Sequence, residues 1–284
     1  GIDFKRIYIY NMPTHSSNDS VFGGYNVFLQ SKDGLQDATH GSAKVDFYLD
    51  RIIKPERKDI GMLVSVIDAE IPYSFYNISS GNNALSIDGQ IYELSDRNYN
   101  SFNVMDAFND QFATAGVDIT MDFKENTNKF TLRSTTYPPT SFTINSTTMV
   151  KELGASNLPQ TGTSYTSNQV CNLAGTSSIY IQSSNMLLNN INSFGKTFNV
   201  LSKCLVNTSP SSFIYYQPSQ PQYFQLNNSL NFINIEMRND EGQFIQFNGC
   251  DWSMTISIEF FRLRDDYINS KWLMDHTAKE PVKE

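Results

Sequence analysis

The chain has 284 residues, 39% of them hydrophobic and 13% aromatic, enough to bury the core of one large domain or two smaller ones. Its net charge of −8 at pH 7 and the lack of a basic stripe argue against nucleic-acid binding. No stretch approaches the roughly 18 consecutive apolar residues of a spanning helix, so we expect no membrane span. Cys171, Cys204 and Cys250 lack metal-ligand spacing. We therefore expect reduced cysteines acting as small hydrophobes in a soluble protein of a reducing compartment.

The first part of the chain predicts β-strands. Residues 6–10, 25–30 and 44–51 alternate or nearly alternate apolar and polar side chains, which is typical of half-buried strands. Residues 59–78 are apolar on both faces, a pattern typical of a strand buried on both sides. Pro72 is expected to break or bend this strand.

Near residue 79 the pattern changes, and hairpins and helices replace long strands. Residues 101–115 predict the clearest helix, with one apolar face, Ser101 as the expected cap and Gly116 just beyond the end. The neighbouring predictions are a hairpin over 84–94 with its turn at Asp88–Gly89, a second hairpin over 117–135, a short strand over 142–144, a short helix over 147–153 and an aperiodic connector over 155–169. These elements together indicate a compact α+β segment.

Strand patterns then return and continue to about residue 263. The predicted strands cover residues 178–183, 197–206, 212–216 and 222–226, with turn residues at the spacing of a sandwich or jelly roll. We predict a mainly β protein, a single discontinuous jelly-roll β-sandwich formed by residues 1–77 and 166–263. An inserted small α+β domain occupies residues 78–165, and a C-terminal tail occupies residues 264–284.

The stretch Asn231–Arg264 is predicted to close this sandwich as a terminal hairpin, with turns at Asn239–Gly242 and Asn248–Gly249 and a strand at Phe244–Phe247. Its inward-facing row is the predicted structural core: Ile233, Ile235, Met237, Trp252, Met254, Ile256, Ile258 and Phe260. In the charged tail, Tyr267 and Trp272 are the candidates for docking between subunits.

Catalytic templates are missing from the sequence. No nucleophile elbow, zincin helix, phosphate-binding loop, dinucleotide fingerprint or C-x-x-C pair is present, so we expect no enzyme, no metal and no cofactor. His15, His40 and His276 fall in predicted loops or the tail and are expected to be solvated. Asp118 and Asp122 share a strand face and could chelate a cation, although a solvated face is the better interpretation.

Two aromatic segments leave a carbohydrate-binding alternative open. Tyr215–Tyr216 and Tyr73–Tyr76 could form a platform for a sugar, while packing in a core or an interface explains them better. The alternative to an assembly protein is therefore a β-sandwich adhesin or carbohydrate-binding module.

Several phrases carry a resemblance to a known family. They are DAEIPYSFYNI (68–78), YNSFNVMDAFNDQF (99–112), LGA (153–155), SSIYIQSS (177–184) and IEMRNDEGQFIQFNGCDWSMTISIEF (235–260). In this order they resemble the penton, or minor capsid, proteins of virophages and Polinton-like viruses, and the N-G-x-D-W-S phrase at Asn248–Ser253 is the most specific. The loop 11–24 and the tail 265–284 match no phrase of that family.

This resemblance implies a structural protein of the virion. It implies a vertical single jelly roll that forms homopentamers at the icosahedral vertices and contacts the major capsid protein of the same virus. It also implies that residues 78–165 face outward, where they could meet a host surface receptor. Assembly would take place inside the host cell.

Overall fold

A computed structural model of the chain describes residues 9–11, 21–57, 59–186, 190–191, 197–226 and 229–262. The chain divides into two compact units: unit 1 consists of residues 1–74 and 177–284, and unit 2 of residues 75–176. Compactness does not by itself show independent folding, so the inserted domain, with its expected bounds at 78 and 165, stays a prediction. In the described ranges no helix combines the length and the apolar character that crossing a bilayer requires.

Short antiparallel strands make up most of the regular structure, which confirms the mainly β prediction. The strands are β1 (Ile9–Asn11), β2 (Val21–Gln30), β3 (Leu35–Asp37), β4 (Gly41–Ile53), β5 (Ile60–Pro72), β6 (Ala84–Ile87), β7 (Gln90–Glu93), β8 (Ile119–Lys124), β9 (Lys129–Ser134), β10 (Phe142–Thr147), β11 (Gln160–Gly162), β12 (Ser164–Thr166), β13 (Ser178–Gln182), β14 (Asn190–Ile191), β15 (Thr197–Phe198), β16 (Val200–Leu205), β17 (Phe213–Tyr216), β18 (Phe224–Leu226), β19 (Leu230–Arg238) and β20 (Ser253–Arg262). The α-helices are α1 (Ser101–Ala115) and α2 (Val150–Leu153), and a 3₁₀ turn covers Ser31–Asp33.

Nested antiparallel pairs define unit 1. Strand β2 pairs with β20, β4 with β19, β5 with β17 and β13 with β16, so the chain runs as one long folded hairpin. Further pairing of β20 with β5 and of β19 with β13 wraps this hairpin into two sheets. The β20 sheet has the order β1-β2-β20-β5-β17, with β18 also paired to β5, and the β19 sheet has the order β16-β13-β19-β4-β3. This topology is a jelly roll, as predicted.

Apolar side chains from both sheets fill the core of unit 1. Of the eight side chains predicted as core, seven are at most 2% exposed: Ile233, Ile235, Met237, Trp252, Met254, Ile256 and Ile258. Phe260 is half-buried, and its ring lies edge-on to that of Tyr25 at a centroid distance of 5.8 Å. The outward-facing Thr255 and Ser257 are buried as well, so the middle of β20 is covered on both faces.

The predicted terminal hairpin over Asn231–Arg264 is wrong. Strand β19 lies in one sheet and β20 in the other, and the connection between them crosses the end of the sandwich. The predicted strand Phe244–Phe247 is also absent, since Phe244 makes only an isolated bridge to Arg238. Ile245 and Phe247 are buried instead, which places this connection against the core. Strand β19 pairs with β13 and β4, and strand β20 pairs with β2 and β5, so the two do not pair with each other.

Unit 2 contains a four-stranded sheet, β11-β10-β6-β7, and a three-stranded sheet, β12-β9-β8. Helix α1 buries Val104, Phe108 and Phe112 in the core of this unit. The expected cap is wrong by one position, because Asn100 accepts the Asn103 N–H while Gly116 ends the helix in the left-handed conformation as predicted. The connector predicted to be aperiodic contains β11 and β12, which pair with β10 and β9.

Asn77 holds the two ends of unit 2 together. Its Nδ2 donates to the carbonyls of Tyr99 and Leu173, each at 2.8 Å, and its Oδ1 accepts the Tyr99 N–H at 2.8 Å. The Asn77 carbonyl accepts a hydrogen bond from Asn82 Nδ2 at 2.9 Å. A residue near the start of unit 2 is thus bonded to one near its end, 96 positions away.

Ile256→Asp should prevent unit 1 from folding. Ile256 pairs with Val27 and Val66 in the middle of the sheet and is fully buried, so the variant buries a carboxylate without a partner. We expect a destabilisation of about 3–5 kcal/mol, measured as lost soluble yield and lost cooperative melting in circular dichroism. Gln30→Asp changes an exposed position of the adjacent strand β2 and should melt like the wild type. A soluble, cooperatively melting Ile256→Asp protein would show that the inward row is misassigned.

Asn77→Ala should destabilise unit 2 because it leaves two carbonyls and an N–H in its core region without their partner. We expect a loss of about 1–3 kcal/mol in the free energy of unfolding, measured by urea denaturation with a probe in unit 2. Asn145→Ala removes one exposed side-chain acceptor of the Gly89 N–H and should cost less. Equal losses for both variants would contradict a special role of Asn77.

Candidate assembly surface

The His, Cys and Asp residues considered as candidate ligands lie in separate places where the structure describes them. Among the described residues no group of three or more His, Cys, Asp or Glu side chains is placed to hold a metal ion. Asp122 forms an ion pair with Arg133. His40 is half-buried rather than solvated, with Nδ1 2.8 Å from Asp37 Oδ1 and its ring centroid 4.0 Å from that of Phe244. His15 and His276 lie outside the described residues.

The cysteines occupy three different environments. Cys204 is fully buried, and this burial raises the pKa of its thiol to about 12, as expected for a cysteine that packs as a small hydrophobe. Cys171 is half-buried, and burial also raises its pKa. Cys250 is exposed, which corrects the expectation that all three pack in the interior.

The Asn248–Gly249 turn fixes one end of unit 1. Both residues are in the left-handed conformation, with φ of 51° and 80°, which an Asn-Gly pair adopts readily. Asn248 Nδ2 donates to the Ser74 carbonyl at 2.6 Å, and Ser74 Oγ donates to the Phe247 carbonyl at 2.6 Å. The turn is therefore bonded in both directions to the last residue of the first segment of unit 1.

Trp252 continues this connection into both sheets. Its indole Nε1 donates to the Ser42 carbonyl at 2.6 Å, and Ser42 Oγ donates to the Cys250 carbonyl at 2.9 Å. Ser31 Oγ donates to Asp251 Oδ1 at 2.6 Å and accepts the Trp252 N–H at 3.1 Å. The N-G-x-D-W-S phrase is thus explained by a network that ties the end of β2 and the start of β4 to the start of β20. We call it the Trp252 network.

One side of the sandwich is formed by β16 and β17, which are the last strands of their sheets. Leu205 on β16 is 62% exposed, and Phe213 and Tyr215 on β17 are 49% and 69% exposed. The Phe213 and Tyr215 rings lie on the same face with centroids 6.3 Å apart, while Ile214 between them is buried. We call this apolar surface the β16–β17 flank.

A second apolar surface lies on the opposite side of the sandwich, at the other end of the strand order in each sheet. Among the described residues β1 pairs with only Tyr25–Val27 of β2, and β3 has only three residues. Phe28 on β2 and Leu35 on β3 are each about half exposed. We call this surface the β2–β3 flank. The two flanks share no residue and differ in side-chain composition.

A shallow cleft of about 220 Å³ opens on the outer face of the β20 sheet. Its lining consists of Gln30, Lys32, Glu70, Phe213, Asp251, Trp252 and Ser253. The charged groups are of both signs, and no histidine or cysteine accompanies them.

The aromatic residues considered for a sugar platform are divided by the fold. Tyr73 and Phe75 are buried, and Tyr215 and Tyr216 point to opposite faces of β17. The exposed pair is Phe213 with Tyr215, which sequence reasoning missed because the alternating pattern did not reveal which side of β17 faces solvent. Tyr267 and Trp272 lie outside the described residues, so their docking role stays a prediction.

No protein-family model matches the chain, and no curated protein sequence matches it. Among solved structures, the chain is similar to the selenomethionine-labelled mavirus penton protein, with 12% identity over 82% of this chain and 98% of that chain. The TM-score of this comparison is 0.42.

Lowering the pH should weaken the turn that follows β3, beside the β2–β3 flank. The Thr39 N–H, followed by the N–H and ring of His40, lowers the pKa of Asp37 from 3.8 to about 2. Because the folded pKa is depressed, this stabilisation is fully present above pH 3.8 and is lost as the pH falls through about 2. The melting temperature of the wild type should therefore fall toward that of Asp37→Asn over this range. A constant difference between the two melting curves would contradict the assignment.

Proposed function

We propose that this chain is a structural viral capsid protein, a penton subunit that forms homopentamers at the icosahedral vertices. The observation that carries the proposal is a jelly roll with two different apolar flanks at its two sides. The family resemblance of the sequence phrases supports the same function. The proposed site of action is the vertex of the virion.

Two different flanks suit a ring. A two-fold dimer uses the same patch on both subunits, whereas a closed ring brings one patch of each subunit against a different patch of the next. In the proposed pentamer the β16–β17 flank of one copy packs on the β2–β3 flank of its neighbour. Five equal contacts would then cover edge strands of the two unit 1 sheets, which would otherwise be open to uncontrolled strand pairing.

The exposed side chains provide a suitable interface centre. A stable interface buries about 800 Å² per partner, and a fully exposed large aromatic buries about 150–250 Å² when it is covered. Phe213, Tyr215 and Leu205 are 49%, 69% and 62% exposed, so together they supply part of one side. We propose that Tyr267 and Trp272 of the tail add to the contact between subunits.

Other partners follow from the same proposal. The cleft beside Phe213 carries Lys32, Glu70 and Asp251, which suits a polar contact with the major capsid protein. Unit 2 is proposed to face outward and to contact the host surface. No catalytic step is part of this function.

A second candidate is a glycan-binding adhesin, which is favoured by the adjacent rings of Phe213 and Tyr215. If these rings bind sugar, an isolated monomer should bind glycans, and Tyr215→Ala should abolish that binding. In the penton proposal the same rings are covered by a neighbouring subunit.

The double variant Phe213→Asp/Tyr215→Asp should convert the pentamer into monomers. Both positions are exposed in the single chain, so folding should persist, whereas the interface would have to desolvate two carboxylates. Native mass spectrometry of the full chain at micromolar concentration measures the oligomer, and circular dichroism checks the fold.

Ile91→Asp is the matched control for this experiment, since it places a carboxylate at an exposed apolar position of unit 2. It should remain pentameric. A monodisperse wild-type monomer, or a double variant that still forms pentamers, would overturn the proposed use of the flank.

A further inference from the structure

The most exposed large aromatic side chain in the described part of the chain is Tyr137, at 98%. It lies in the loop between β9 and β10, followed by Pro138 and Pro139, which are also exposed. Packing within unit 2 gives no reason for an aromatic residue at this position. A fully exposed aromatic ring is available to stack on a ligand.

The loop that carries Tyr137 is fixed by a cluster of hydroxyl groups at its base. Ser134 Oγ lies 2.9 Å from Thr136 Oγ1 and 3.2 Å from Thr140 Oγ1, and the two threonine oxygens are 3.0 Å apart. The Thr140 N–H donates to both Ser134 Oγ and Thr136 Oγ1, at 3.1 and 2.9 Å. We call these three residues the hydroxyl cluster.

Main-chain bonds extend this anchoring to the neighbouring strands. The Ser134 N–H donates to the Thr163 carbonyl at 3.0 Å, and the Thr135 N–H donates to the Asp118 carbonyl at 2.9 Å. Tyr137 is thus the tip of a loop that is tied across its base. A tyrosine side chain has only two χ angles. Because the loop that presents it is tied at its base, less conformational entropy is lost on binding.

The chemistry of the loop limits what it can bind. Residues 134–141, STTYPPTS, contain no Asp, Glu, Lys, Arg or His, although the chain has a net charge of −8. Five of the eight carry an aliphatic hydroxyl group, and the others are Tyr137 and two prolines. A complementary ligand is therefore uncharged, presents C–H groups to the electron-rich face of a ring, and bears many hydroxyl groups. Neutral saccharides have this combination.

We propose that the Tyr137 loop is a binding site for neutral glycans. The ring of Tyr137 stacks on the C–H face of a sugar, Thr135 and Ser141 supply hydroxyl groups beside it, and the hydroxyl cluster holds the loop in place. This inference deepens the proposed host contact of unit 2 and rests on the proposed function. A single shallow site of this kind binds weakly, and a homopentamer would compensate by engaging several glycans at once.

The test is binding of the full-length wild-type protein to an array of neutral, sialylated and sulfated glycans. We expect binding to one or more neutral glycans. Tyr137→Ala should weaken the apparent affinity at least about tenfold, as for a central contact residue, while Tyr137→Phe, which keeps the ring, should retain most of it. Ile91→Ala removes another exposed apolar side chain of unit 2 and should change nothing.

The positioning role of the hydroxyl cluster has a separate test. Thr136→Val keeps the shape of the side chain but removes its hydroxyl, so it should weaken glycan binding without changing the melting temperature of unit 2 appreciably. Thr136→Ser restores the hydroxyl and should restore binding. Equal affinities for Thr136→Val and the wild type would show that the cluster does not position Tyr137.

Failure of this inference is distinguishable from failure of the proposed function. A pentameric wild type that binds no neutral glycan, or that binds only charged glycans, would overturn the glycan site and leave the penton proposal intact. Neutral-glycan binding that survives Tyr137→Ala would also overturn it. Binding through Tyr137 to a deglycosylated protein alone would reassign the loop to an apolar protein pocket, against the inference.

Discussion

The indole of Trp252 is the contact that joins the two sheets of unit 1. Trp252 precedes β20, yet its indole Nε1–H donates to the carbonyl of Ser42 in β4 of the opposite sheet. Its ring lies edge-on to Phe47, at a centroid distance of 5.9 Å. Both side chains are buried, so loss of the indole would leave a buried carbonyl without its donor and open a cavity beside Phe47.

The middle of β20 is covered on both faces, so its side chains belong to the packed interior of unit 1. Its inward row packs in the core, and its outward Thr255 and Ser257 are buried too. Leu205, Phe213 and Tyr215, at the edges of the two sheets, are exposed. The apolar surface proposed for assembly therefore lies at a side of the sandwich.

Local patterns predicted local structure well. Helical periodicity predicted the helix over Ser101–Ala115, and turn chemistry predicted the hairpin with its turn at Asp88–Gly89. The predicted bounds of both lie within a few residues of those in the structure. The terminal hairpin was wrong because alternation shows that β19 and β20 are strands but not which strands they pair with. The flanks could not be predicted for the same reason: Phe213 looks like a core residue until β17 is known to end its sheet.

The two proposed contacts of this chain differ in the affinity that each one requires. Assembly into a ring must persist, which calls for a large apolar interface such as the flanks with Phe213 and Tyr215 can provide. Contact with a cell surface benefits from weak, reversible sites whose number supplies the strength, and the small, uncharged tip at Tyr137 fits that role. Because a ring multiplies each tip fivefold in the proposed pentamer, the strength of surface binding depends on assembly through the flanks. Weakening the flank should therefore reduce glycan avidity even though Tyr137 is unchanged.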